Sequence, residues 1–222
     1  MAPPVLAFDL FGTLAEPFGS VESLRRITSQ PELLAASWRR HQLEISWLLT
    51  VMERYEDWGA VTAHGLDVAL AEAGIDATPD DRERLLTEGG RPQLFDDVPD
   101  ALAGLAAAGA RLAVLSNGTA TALRAIVEAT GVADRFSELI SVDEVGAYKP
   151  APAVYRHAAD RLEVPVERLW LVSANPFDCA GAGAAGLRVA KVERGPSFTY
   201  PFGPRPDVVV GDLRELAARL PR

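Results

Sequence analysis

Cysteine is nearly absent: Cys179 is the only one in 222 residues. A single thiol excludes an intramolecular disulfide and fits a reducing compartment. No run of about 18 apolar residues occurs, and no basic segment precedes a long apolar one at the start. Neither a membrane-spanning helix nor a secretion signal is expected, and the expected location is cytoplasmic. Positive charge is short, with 22 Lys and Arg against 31 Asp and Glu, a net of −9. A nucleic-acid partner is not expected, because phosphate backbones are held by clustered Lys and Arg. The deficit leaves room for a small anionic substrate, since a local cationic site overrides the overall sign. Histidine is also scarce. His41, His64 and His157 fall in helical segments outside the motifs below and read as structural or surface residues.

What is present suits a globular chain. Apolar residues make up 48% and charged residues 24%, which excludes a disordered composition. The length suffices for one large domain, or for a domain that carries an insertion. The segment Phe8, Asp9, Leu10, Phe11, Gly12, Thr13, Leu14 organises the chain. Val5 to Phe8 form a short apolar run that reads as a buried strand, with Asp9 at its end and Gly12 permitting a sharp exit. A carboxylate there stands where ligands usually bind in an α/β sheet, and it can act as a covalent nucleophile. Taken alone, the same Asp can simply cap a turn.

Residues 21–89 are helical in pattern. Leu34, Trp38, Ile45, Leu48, Met52 and Tyr55 form one amphipathic stripe, and Arg39, Leu43 and Trp47 a second. Arg39 either snorkels to water or meets an anion in an enclosed cavity. Further helices are expected over 60–73, ended by Gly74, and from Thr78 to Gly89 and Gly90. From Pro92 onward, strand and helix alternate. Strands are expected over 111–115, 138–141, 169–172, 188–192 and 207–210. Helices are expected over 99–108, 119–129, 153–162, 179–185 and 213–220. Residues 195–206, rich in Pro, Gly and aromatics, read as a loop. Alternation implies a parallel sheet covered on both faces. The first strand must join the later ones, because nothing in the helical segment can pair with it. The expected architecture is α/β: a Rossmann-like parallel-sheet core (residues 1–14 and 93–222) with an inserted helical cap (residues 15–92).

In such a sheet the C-terminal strand ends share one edge. That edge would collect Asp9, Ser116 with Asn117, Lys149, and Ser173 with Asn175 and Asp178. Each has a bland reading alone: Ser116 and Asn117 as helix caps, Lys149 as a solvated loop lysine, Asp178 as an N-cap. Their joint convergence from separate segments is harder to explain that way.

Asp9-x-Phe11-Gly12-Thr13, the Ser116–Asn117–Gly118 segment, Lys149 before Pro150, and Asn175-x-x-Asp178 resemble the four motifs of the haloacid dehalogenase superfamily, in order. The helical insertion after the first motif is similar to that superfamily's cap. Most members are magnesium-dependent phosphatases, with a second Asp two positions after the nucleophile and a Gly-Asp pair in the fourth motif. Here Phe11 and the Ser173–Ala174 pair stand instead. Phe11 moves no proton, and Ala174 offers no ligand to a cation that wants near-octahedral oxygen. Both departures resemble the L-2-haloacid dehalogenase branch. The segment from Trp38 to Leu48 is similar to the one that supplies that branch's cap arginine, and Tyr155 stands where it has a tyrosine. Phe11 keeps the ring of a frequent tyrosine and drops its hydroxyl.

The resemblance implies roles. Asp9 would displace halide from C2 of a short 2-haloalkanoate, forming an ester that water then hydrolyses to a 2-hydroxy acid of inverted configuration. Lys149 would hold Asp9 charged and oriented. Ser116 and the N–H groups after Asp9, at Leu10 and Phe11, would bind the substrate carboxylate. Arg39 and Asn117, with an aromatic edge from Phe177, would cradle the halide. Asp178, Ser173 and Asn175 would position and activate the water, while Thr13 and Tyr155 brace the site. No metal and no cofactor is expected, and the only partner expected is the small 2-haloacid substrate. The aromatic-rich insertion is compatible with a homodimer, and equally with packing inside the cap. Three other readings stay open: a magnesium-dependent phosphatase of this fold, a hydrolase of another activated C–X or C–N bond beside a carboxylate, and a non-catalytic binding protein.

Overall fold

The computed structural model describes residues 3–16, 21–89, 93–196 and 198–220. The calls on Gly90 and Pro92 lie outside these residues. The chain divides into two compact units, residues 1–15 with 94–222, and residues 16–93.

The larger unit is built on six parallel strands. They are β1 (Val5–Phe8), β2 (Arg111–Ser116), β3 (Glu138–Ser141), β4 (Leu169–Ser173), β5 (Arg188–Val192) and β6 (Val208–Val210). Their order is β3-β2-β1-β4-β5-β6. The inner strands read as continuous apolar runs because both sheet faces are covered. Phe8 pairs in register with Val114 of β2 and Val172 of β4, so three strand ends lie side by side. The chain builds outward from β1 through β2 to β3, then crosses over to place β4 on the other side of β1. Such a reversal opens a crevice at the C-terminal edge. Phe8, Leu10, Leu14, Val98, Leu102, Val114, Trp170 and Val172 share one hydrophobic core.

The smaller unit begins with a 3-10 segment, Val21–Arg26, followed by α1 (Pro31–Val51), α2 (Trp58–Ala73) and α3 (Pro79–Gly89). The helix expected from residue 60 starts at Trp58, because the Asp57 side chain accepts the Ala60 N–H as its cap. Gly74 ends it at φ +65°, a left-handed conformation that suits glycine.

The apolar stripe expected on α1 is only half right. Leu34 and Trp38 are buried, but Leu48 and Met52 are more than half exposed, and Tyr55 lies beyond the helix end. The buried face runs instead through Leu34, Ala35, Trp38, Gln42, Ser46 and Leu49. Two polar residues lie on it: Ser46 Oγ donates to the Leu43 carbonyl at 2.7 Å, and Gln42 is half satisfied, its Nε2 donating to Thr62 Oγ1 at 3.0 Å while its Oε1 is buried without a hydrogen bond. Gly65 lets the helices approach, since a Cβ there would stand 3.0 Å from the Gln42 nitrogen.

The remaining helices belong to the larger unit: α4 (Val98–Ala107), α5 (Ala120–Ala129), α6 (Pro152–Arg161), α7 (Pro176–Ala185) and α8 (Leu216–Arg219). The last helix is shorter than expected, because Leu213–Glu215 form a 3-10 turn capped by Asp212. Among the described residues, no helix is long and apolar enough to cross a membrane.

Candidate active site

β1 delivers Asp9 to the sheet edge, and the Asp9 N–H extends the ladder by one bond to the Val172 carbonyl, 2.9 Å. The chain then turns sharply at Gly12, where φ is +85° and a Cβ would meet the Asn175 amide at 3.6 Å. This turn brings Thr13 back, so that its hydroxyl donates to Asp9 Oδ2 at 2.9 Å. The same Oδ2 accepts from Asn175 Nδ2 at 2.7 Å, and Asn175 Nδ2 also reaches the Phe11 carbonyl at 2.9 Å. Thr13 Oγ1 is fixed from its other side by the Ala174 N–H, 2.9 Å away. Asp9 is 6% exposed, so its carboxylate is nearly enclosed but still reachable.

Lys149 joins Asp9 to Asp178. Its ammonium lies 3.0 Å from Asp9 Oδ1 and 2.9 Å from Asp178 Oδ2, with all three side chains buried. Burial alone would push the Lys149 ammonium below its ordinary value. The charges of Asp178 and then Asp9 outweigh that and hold it above. Burial pushes the Asp178 carboxyl up. Lys149 opposes this and Asp9 adds to it. Tyr155, on α6, donates to Asp178 Oδ1 at 2.8 Å. Burial, and then the charge of Asp178, holds the Tyr155 hydroxyl well above the usual phenol value, so it stays a neutral donor. Asp178 is not an N-cap. The helix starts at Pro176, three residues before the expected Cys179, which places Asp178 in its first turn and Asn175 at the cap position.

Ser116 ends β2 fully buried, and its Oγ accepts the Gly118 N–H at 3.2 Å. Neither it nor Asn117 caps α5; Thr119 does, accepting from the Ala122 N–H. Asn117 Oδ1 instead receives the Lys149 N–H at 3.1 Å, tying the second motif to the third. Ser173 ends β4 fully buried, and its Oγ accepts the Asn175 N–H at 3.2 Å. Phe177 is half-buried in the first turn of α7. The Leu10 side chain packs in the core, so only its backbone can meet a ligand. Arg39 lies on α1 in the smaller unit, its guanidinium 5.8 Å from the centre of the Trp58 ring. His41, His64 and His157 each pair with glutamates: His41 with Glu44 and Glu72, His64 with Glu56, His157 with Glu144.

Arg194 carried no signal in the sequence, standing between Glu193 and Gly195 at the start of an expected loop. The structure forks its guanidinium onto the Thr13 carbonyl.

A magnesium ion, as used by phosphatases of similar motif order, does not fit this donor set. The position of the fourth-motif ligand is Ala174, and the two carboxylates already share an ammonium. Among the described residues, no group of three or more His, Cys, Asp or Glu side chains is placed to hold a metal ion.

A buried carboxylate at a sheet switch point, braced by a lysine, a threonine and an asparagine, is placed as an aspartate that can act as a nucleophile must be. The family is equally clear: the chain belongs to the haloacid dehalogenase-like hydrolases, whose family pattern matches residues 3–186. It is 36% identical over 217 residues to (S)-2-haloacid dehalogenase 1 of Pseudomonas sp. (strain CBS-3), covering 96% of each chain. It is 33% identical to haloacetate dehalogenase H-2 of Moraxella sp. (strain B), covering 92% of each. Among solved structures it resembles the L-2-haloacid dehalogenase of Xanthobacter autotrophicus with chloropropionic acid covalently bound. There the TM-score is 0.89 at 29% identity, with 97% of each chain covered.

Proposed function

We propose that this protein hydrolyses short L-2-haloalkanoic acids to 2-hydroxy acids of inverted configuration, through an ester of Asp9 and without a metal. The observation that carries the reading is the Asp9–Lys149–Asp178 array beside Phe11 and Ala174. It has a nucleophile and a base, and no acid for a leaving group. The names of the relatives point the same way.

In the first step an Asp9 oxygen attacks C2 from behind the carbon–halogen bond. The C–X electron pair leaves with the halide, so no proton is needed, and Phe11 is tolerable where a phosphatase needs an acid. In the second step water attacks the Asp9 Cγ and gives its proton to Asp178. The bond from Cγ to the alkyl oxygen breaks, that oxygen takes the proton back from Asp178 to become the product hydroxyl, and Asp9 returns to its carboxylate as one proton passes to water. Splitting one displacement in two lowers each barrier. The raised affinity of Asp178 for a proton suits a general base better than an ordinary carboxylate would.

The other residues follow from their donors. Lys149, Thr13 and Asn175 orient Asp9. Tyr155 orients Asp178. Ser116 and the N–H groups of Leu10 and Phe11 hold the substrate carboxylate. Asn117, with the edge of Phe177, receives the halide, and Ser173 supports the water through Asn175.

The test is a single turnover in ¹⁸O-labelled water with enzyme in excess over L-2-chloropropionate. Label is expected in the peptide that contains Asp9 and not in the lactate, because the product hydroxyl oxygen comes from Asp9. Label in the lactate after the first turnover would mean direct attack by water and would sink the ester route. An Asp9→Asn variant is expected to release no halide.

A further inference from the structure

Thr13 places its hydroxyl between Asp9 and Ala174, yet its own backbone is weakly tethered. Its N–H reaches the Leu10 carbonyl at 3.3 Å, a long bond. Its carbonyl is held by a side chain distant in sequence. Arg194 Nη2 donates to it at 2.8 Å and Nε at 3.1 Å, so the planar fork straddles a single oxygen. Arg194 is itself anchored. Its Nη1 donates to Asp97 Oδ1 at 2.7 Å, and its guanidinium lies 4.3 Å from the centre of the Phe95 ring. Asp97 is buried, and its other oxygen accepts the Leu213 N–H at 2.7 Å. Phe95 in turn donates its N–H to the Leu14 carbonyl, 3.0 Å. The turn after the nucleophile is thus pinned from outside by a built arrangement of charge and ring.

We infer that Arg194, fixed by Asp97, is a positioning residue for the nucleophile: it holds the Thr13 carbonyl and, through the Thr13 hydroxyl, the Asp9 carboxylate. It touches neither substrate nor reacting atoms. A lysine cannot replace it. The ammonium can neutralise Asp97 but cannot send two parallel N–H groups to one carbonyl while also reaching the carboxylate. Small displacements of a nucleophile are costly, up to about 100-fold for an ångström.

This inference rests on the dehalogenase reading, and its test separates the two. Halide release from L-2-chloropropionate is measured for the intact protein, Arg194→Lys, Thr13→Val and the double variant. Hydrogen–deuterium exchange of residues 10–15 is followed in the same samples. Arg194→Lys is expected to lower kcat about 10-fold to 100-fold with KM changed less than about 3-fold. The double variant is expected to be no slower than Thr13→Val alone, because both act along one path. Amides of residues 10–15 are expected to exchange faster in Arg194→Lys while those of β3 do not change. Arg194→Gln combined with Asp97→Asn removes the buried charge as well, and is expected to show the same kcat loss in a protein that still melts cooperatively. Unchanged kcat, additive losses in the double variant, or unchanged exchange at residues 10–15 would each overturn the inference. If the intact protein releases no halide, the dehalogenase reading falls, and the exchange comparison alone decides whether Arg194 holds the turn.

Discussion

Two carboxyl groups and one ammonium lie buried together at the sheet edge, and Lys149 is the piece that makes this tolerable. Removing one partner of a buried ionic group costs about 3–5 kcal/mol, because the others are left uncompensated. Lys149→Met is therefore expected to lose that much stability at neutral pH, read by urea unfolding, and at least about 100-fold in kcat. The pH dependence has a definite sign. Asp178 already binds its proton more tightly folded than unfolded, so its protonation as pH falls favours the folded state. The deficit of Lys149→Met should shrink toward acid; a deficit that grows instead would contradict the raised Asp178. For Lys149 itself the folded value is raised above 10.5. Its contribution is complete below the unfolded value and lost only as pH rises through the folded one. Cys179 is inert by the same reasoning. Burial, then the charge of Asp178, pushes its thiol up, and its Sγ lies 3.5 Å from the Ser173 carbonyl. A maleimide is expected to label the protein only after denaturation, and rapid labelling of the native chain would count against this placement.

At the scale of elements, α7 and α4 make opposite use of glycine. A Cβ on Gly181 of α7 would stand 2.5 Å from Pro150 Cβ and 2.8 Å from Tyr155 Oη. Helix propensity favours alanine by about 1 kcal/mol, but overpacking costs about 1–3 kcal/mol, and here the obstacle includes backbone atoms of Pro150. Gly181→Ala should destabilise and, by displacing the Tyr155 hydroxyl from Asp178, slow ester hydrolysis more than ester formation. Gly104 of α4 is exposed, and a Cβ there meets nothing within 4 Å. Gly104→Ala should stabilise by about 0.5–1 kcal/mol and leave halide release unchanged. Thermal melts and single-turnover kinetics on the pair check both. The sequence pattern could not tell these glycines apart, because what each Cβ meets is set by Pro150 and Tyr155, far along the chain. The α1 stripe misled for a related reason. Periodicity marks apolar positions, whereas the buried face was decided by the close approach at Gly65 and by the partners of Gln42 and Ser46.

For the molecule as a whole, the proposed reaction calls for no cation, because Ala174 offers no ligand and the two carboxylates share the Lys149 ammonium. Halide release is expected to be unaffected by EDTA, and added Mg²⁺ is expected to produce no cleavage of p-nitrophenyl phosphate. Absence of halide release together with Mg²⁺-dependent cleavage of p-nitrophenyl phosphate would move the protein to the phosphatase reading and show that Ala174 can be bypassed.

The sequence by itself determined most of the elements and which motif residues gather at the sheet edge. Short apolar runs ending in Asp9, Ser116 or Ser173 announce buried parallel strands, since burial on both faces demands such runs. Their C-terminal ends must share one edge once the sheet is parallel, so the motif residues were legible without coordinates. What only the tertiary structure decided is which of them touch. Lys149 meets Asp9 across 140 positions, Asn175 meets it across 166, and Arg194 reaches Thr13 across 181. Local propensity and periodicity act over a few residues. A guanidinium finds a carbonyl 181 positions away only because six strands in one order, β1 at the centre, have already closed the distance.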